Sequence, residues 1–157
     1  MAERADPARA GLRAGRLVGV LTAVLVVASL LHTQEQFVGR LEAVVRFTGF
    51  DPGGSVSVYF YLYVVGAALG RYALGYLVGA LIGVVYDWLD RPAVAVLAGL
   101  TLLVGVADGV VAAVDTRNTL IGVAYALAWL PYIPLFLRYV DDEASYTDGP
   151  VRFDDHS

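Results

Sequence analysis

Arg71 and Asp108 are the residues of this chain whose type and position point most directly to chemistry, because each stands alone in a long apolar run. Arg71 interrupts the run from Val56 to Tyr86, and Asp108 interrupts the run from Ala93 to Val114. A charge in such surroundings is expensive unless it is paired or hydrated. A guanidinium and a carboxylate there can tie two helices together, or border a polar pathway for an ion, a proton or a polar solute. Arg71 lies 19 residues before Asp90, and Asp108 lies 18 residues after it. In a helix hairpin that turns at Asp90-Arg91-Pro92, these separations put both charges at one depth, about 25 Å from the turn. That depth is nearer the outer face than the midplane.

Each charge also shares a helix face with small residues. Tyr59, Tyr63, Ala67, Arg71, Gly75, Gly79 and Gly83 recur every four residues. Ala98, Thr101, Gly105, Asp108, Ala112 and Asp115 recur at alternating spacings of three and four. Small residues four apart let another backbone approach closely. The pattern predicts that these two faces meet, that Arg71 pairs with Asp108, and that Gly75, Gly79, Gly83 and Gly105 pack helices together. Thr101, Tyr72 and Tyr76 are the candidate polar neighbours of the pair, and Tyr125 and Tyr132 offer further hydroxyls.

Other chemistry is thin. The chain has no cysteine, which removes disulfides, thiolate nucleophiles and cysteine-ligated metals. Its two histidines, His32 and His156, lie far apart. His32 with Glu35 makes at most two metal ligands, so the segment reads as a polar helix end. No Gly-Lys-Ser/Thr follows the glycines, and neither Gly-x-Ser-x-Gly nor His-Glu-x-x-His occurs. The arginines are too dispersed to argue for nucleic acid. No catalytic residue, metal ligand or cofactor site is assigned, and an intramembrane enzyme ranks behind the other readings.

The elements that must carry Arg71 and Asp108 follow from hydropathy. Apolar residues make up 58% of the chain and the mean hydropathy is +0.65, with the excess gathered in continuous runs. Continuous runs favour helices over the alternating strands of a barrel. The expected architecture is all-α: a polytopic integral membrane protein with a four-helix transmembrane bundle. Residues 1–16 form a basic amino-terminal segment. Residues 17–140 form the membrane domain, with spans at about 17–32, 56–86, 93–114 and 119–140. Residues 141–157 form an acidic, disordered tail. Between the first two spans, Phe37, Leu41, Val44 and Val45 make the apolar stripe of a short interfacial amphipathic helix, closed by the turn Asp51-Pro52-Gly53-Gly54. Pro131 and Pro134 should bend or break the fourth span.

With four spans, the side holding both termini carries Arg4, Arg9, Arg13, Arg16, Arg91, Arg138 and Arg152, against Arg40, Arg46 and Arg117 on the other. This balance predicts a cell-membrane protein with both termini in the cytoplasm. Removal of the first run as a signal peptide would leave three spans and an exterior amino end. All 11 basic residues are arginine against 15 acids, a balance that fits life in high salt or a GC-rich genome. The functional expectation is a non-catalytic structural or accessory subunit that packs or assembles through small-residue faces. Its partners would be the lipid bilayer and a homo-oligomer or larger membrane complex. The alternative is a small transporter or channel with Arg71 and Asp108 beside a polar pathway.

Overall fold

Asp6 and Pro7 start the first helix of the computed structural model, which describes residues 6–49 and 56–147. The Asp6 carboxylate accepts from the Ala8 N–H at 3.0 Å, and Pro7 occupies the first helical turn, where its missing N–H costs nothing. Helix α1 therefore runs Pro7–His32, ten residues ahead of the apolar run. This corrects the boundary expected at Arg16. Arg9, Arg13 and Arg16 belong to the helix because they share its exposed face, while Ala10, Gly11, Ala14 and Gly15 are buried.

Thr33 alone separates α1 from α2, Gln34–Thr48. Its hydroxyl donates to the carbonyls of Ser29 at 3.0 Å and Leu30 at 3.3 Å, which satisfies the end of α1. On α2, Phe37 stacks against Tyr63 and meets Phe60 at a tilt, both from the next helix, whereas Val44 and Phe47 are exposed. The side chains of Leu41 and Val45, the turn at Asp51–Gly54 and residues 148–157 with His156 lie outside the described residues.

Helix α3 spans Val56–Trp88, about 50 Å of helix. Asp90 and Arg91 then adopt left-handed backbone angles, φ 58° and 57°, and reverse the chain into α4, Val94–Thr116. A further left-handed residue, Arg117 at φ 52°, reverses it again, and Asn118 caps α5 by accepting from Leu120 N–H at 3.0 Å. Helix α5 covers Thr119–Leu127 and α6 covers Tyr132–Thr147. Pro131 cannot donate, and around it the bonding tightens to the next-nearest carbonyl, with Leu130 N–H on Leu127 O at 3.0 Å. Helix α6 continues through Asp141, Asp142 and Glu143 to Thr147, so the helical part of the chain reaches seven residues into the segment expected as a tail.

Glycines set the closest packing. Gly11, Gly15 and Gly19 of α1 lie against Gly83, Gly79, Gly75 and Tyr72 of α3, with the two helices antiparallel. A Cβ on Gly79 would stand 2.6 Å from Gly15 Cα, so only hydrogen fits at this crossing. A second antiparallel pair joins α4 to α5, with Gly109 against Gly122, and Gly105 against Ala126 and Trp129. Consecutive helices α3 and α4 touch only sparsely. The expectation that their small-residue faces meet is therefore corrected: α1 covers the glycine face of α3, and α5 covers that of α4. The physical reason is the matching glycine run on α1, which gives α3 a nearer backbone than α4 can offer.

Between the two pairs lies a core of Ala10, Ala14, Val18, Ile82, Tyr86, Leu97, Trp129, Tyr132 and Phe136. Tyr86 meets Phe136 edge-on at 5.1 Å between centroids, and Tyr132 stacks on Phe136 at 5.7 Å. The outer surface is apolar along the helices, with Leu69, Leu81, Leu103, Val111 and Val114 all exposed. No strand occurs among the described residues. Four helical stretches are long and apolar enough to cross a membrane: Pro7–His32, Val56–Trp88, Val94–Thr116 and Thr119–Asp141.

Candidate functional site

Arg71 sits at the middle of α3, and Asp108 sits two-thirds of the way along α4. Although their helices hardly touch, the long arginine side chain bridges the gap, and Arg71 Nη1 donates to Asp108 Oδ1. The second carboxylate oxygen, Oδ2, accepts from the Trp129 indole N–H at 3.2 Å. The guanidinium carbon of Arg71 lies 4.7 Å from the ring centroid of Tyr125, within cation–π range. Tyr125 and Trp129 are buried, and the side chains of Arg71 and Asp108 are 21% and 16% exposed.

Four elements of local structure build this cluster. Helices α3 and α4 supply the charges, α5 supplies Tyr125, and the break before α6 supplies Trp129. Tyr125, Trp129 and Tyr132 are spaced by four and three residues, so the break preserves a common inward face. One turn beyond the cluster, the buried Tyr132 hydroxyl donates to Gly79 O of α3 at 2.7 Å. Every buried side-chain nitrogen and oxygen among the described residues has a hydrogen-bond partner.

The other expected site residues lie elsewhere. Thr101 is buried two turns from Asp108, and its hydroxyl donates to its own helix at Leu97 O, 2.9 Å away. Tyr76 faces α1, where Arg16 lies 5.6 Å from its ring centroid. Tyr72 backs onto Gly19 of α1 and is partly exposed. The contacts of these three go elsewhere: Thr101 bonds within α4, while Tyr76 and Tyr72 meet α1. Gly75, Gly79 and Gly83 pack on α1, and Gly105 packs on Trp129. Trp129 carried a legible signal, an indole beside a proline in an apolar run, but not its target. Tyr125 enters through its ring face rather than its hydroxyl.

The arrangement is an electrostatic tie in which both carboxylate oxygens are engaged. A separate apolar groove of about 210 Å³ runs along α4 and α5 between Val106, Gly109, Val110, Gly122, Val123 and Ala126. It contains neither charge.

These features define a class: an all-helical chain with four helices suited to a membrane and a charged tie between them. No protein-family model, curated protein or solved structure matches the chain.

Proposed function

We propose that this chain is a four-span integral membrane protein acting as a non-catalytic packing or assembly subunit, with α2 at the membrane interface. The observation that carries the assembly reading is the upper part of α3. Gly66 and Gly70 are exposed, four residues apart, and a Cβ on either would meet nothing within 4 Å. Leu62 and Leu69 flank them, also exposed. Gly75 to Gly83 on the same helix are covered by α1, so this uncovered stretch is where another helix can approach closely. The excess of arginine on one side supports an orientation with both termini in the cytoplasm. The conduit alternative has no comparable support, because the carboxylate it would use is engaged on both oxygens.

The test is the mass of the detergent-solubilised protein, measured by light scattering after correction for detergent. The parent chain is expected to be larger than a monomer, and G66L/G70L is expected to be a monomer of unchanged helix content. A monomeric parent, or an assembly indifferent to the double substitution, would sink the assembly reading.

A further inference from the structure

The helices sort into two bodies by what fastens them. Gly11, Gly15 and Gly19 lock α1 to α3. Helix α6 joins this body through aromatic side chains: the Tyr132 hydroxyl donates to Gly79 O at 2.7 Å, and Phe136 meets Tyr86 edge-on. The other body is the α4–α5 hairpin, locked where Gly109 meets Gly122. Trp129 belongs to it, because its side chain lies against Gly105 of α4 and its indole donates to Asp108 of the same helix. The boundary between the bodies therefore falls between Trp129 and Tyr132, at Leu130 and Pro131. Pro131 has no N–H to give, and the chain is interrupted there between α5 and α6. The other covalent link is the non-helical turn of Asp90, Arg91 and Pro92.

Contact between the bodies is uneven along their length. The shared core joins Leu97 of α4 to Ile82, Tyr86 and Phe136. Leu97 and Tyr86 stand only seven and four residues from Asp90, so this core fastens the end of the molecule that carries the Asp90 turn. Beyond Leu97, α4 adds only Val104 to its rim, and among the described residues no member of α5 belongs to it. Toward the Arg117 turn, α3 approaches α4 sparsely, and so does α1 approach α5. What fastens the bodies there is the Arg71–Asp108 ion pair, with the Tyr125 ring 4.7 Å from the guanidinium carbon.

We infer that α4, α5 and Trp129 form a flap hinged at the Asp90–Pro92 turn and at Leu130–Pro131, and that the Arg71–Asp108 pair is the latch that holds its Arg117 end closed. The glycine crossings keep each body intact while the flap turns, since they lie within the bodies and none lies between them among the described residues. Rigid-body transitions turn through about 15°. The Arg117 end of α5 stands about 20 Å along the chain from Leu130, so such a turn displaces it by about 5 Å. The flap does not depend on the assembly reading above, because none of its hinges or its latch uses Gly66 or Gly70.

The experiment is double electron–electron resonance on the full chain in detergent, with nitroxides on introduced cysteine pairs, since the chain has no cysteine of its own. Labelled chain is diluted into unlabelled chain, so that distances are read within one molecule. V65C/L120C spans α3 and α5 toward the Arg117 end, V84C/V94C spans α3 and α4 at the Asp90 end, and V24C/L74C lies within the first body; all six positions are exposed. In D108N the first distance is expected to lengthen by about 5 Å while the other two stay as in the parent. R71A/D108A removes both charges together and leaves neither unpaired. It is expected to show the same lengthening, so the latch is tested even if D108N does not fold. A V65C/L120C distance unchanged in both variants overturns the inference. Lengthening of all three distances together also overturns it, because the bundle then loosens as a whole instead of turning on a hinge.

Discussion

Neutralising Asp108 tests the tie most directly. In D108N the Arg71 guanidinium loses its counter-charge while remaining four-fifths sheltered. Removing one member of a buried ion pair costs about 3–5 kcal/mol, because the other charge is left uncompensated. The ring of Tyr125, 4.7 Å from the guanidinium carbon, offsets about 2 kcal/mol of that at most. The Asn amide also keeps an oxygen for either donor. We therefore expect a loss of about 3 kcal/mol for D108N, at the lower end of that range. R71Q should cost a similar amount, since Asp108 keeps only the Trp129 indole. In R71Q/D108N no charge remains, and neutral amides can still bond one another. The double variant should therefore recover about 2 kcal/mol relative to the sum of the singles, a coupling typical of residues in one network. The assay is reversible unfolding in mixed micelles of increasing SDS fraction, followed by far-ultraviolet circular dichroism. Single losses that add to within about 0.5 kcal/mol in the double variant would refute the pairing as an energetic unit.

Two further substitutions separate the contributions of the indole and the glycines. W129F keeps the aromatic packing but removes the donor to Asp108 Oδ2, and should cost about 1.5–3 kcal/mol in the same unfolding assay, the range for a hydrogen bond to a charged group. An unfolding curve superimposable on the parent would remove Trp129 from the tie. G79L places a side chain where even a Cβ would stand 2.6 Å from Gly15 Cα, so the chain should lose its folded fraction in detergent. Recovery of G79L as a stable, monodisperse species would show that α1 and α3 can separate without consequence.

What the sequence discloses here is position along the chain more than neighbours across it. The four apolar runs locate four long helices because continuous hydropathy is a local property. The turn at Asp90-Arg91-Pro92 is legible for the same reason, and the common depth of Arg71 and Asp108 follows from counting residues on either side of it. Lateral order is not local. The face of α3 with Gly75, Gly79 and Gly83 could pack on any helix with a matching face, and the best match was Gly11, Gly15 and Gly19. That second run has the same four-residue spacing and was readable. Its first two members lie among three arginines in a stretch that hydropathy assigns outside the span, because a window average cannot see that the charges occupy one face and the glycines another. The early end predicted for the last helix has a related cause. Asp141, Asp142 and Glu143 lower the hydropathy without preventing helix, and α6 runs past them.

The way the two helix pairs hold together explains why Tyr125, Trp129 and Tyr132 cluster at the break between α5 and α6. Within each pair, α1 with α3 and α4 with α5, backbones meet at glycines and gain close van der Waals contact. Between the pairs no such glycine crossing exists among the described residues, and on the membrane reading proposed above apolar side chains would gain little by leaving lipid for one another. Directional bonds must then contribute more of the cohesion. Three contacts to α3 or α4 come from residues 125–132: the Tyr125 ring on Arg71, the Trp129 indole on Asp108, and the Tyr132 hydroxyl on Gly79 O. Pro131 lies inside that stretch, and Trp129 and Tyr132 on either side of it keep the common inward face and reach partners on two different helices. On this argument the stretch around the proline joins the pairs, and the Arg71–Asp108 tie is its anchor.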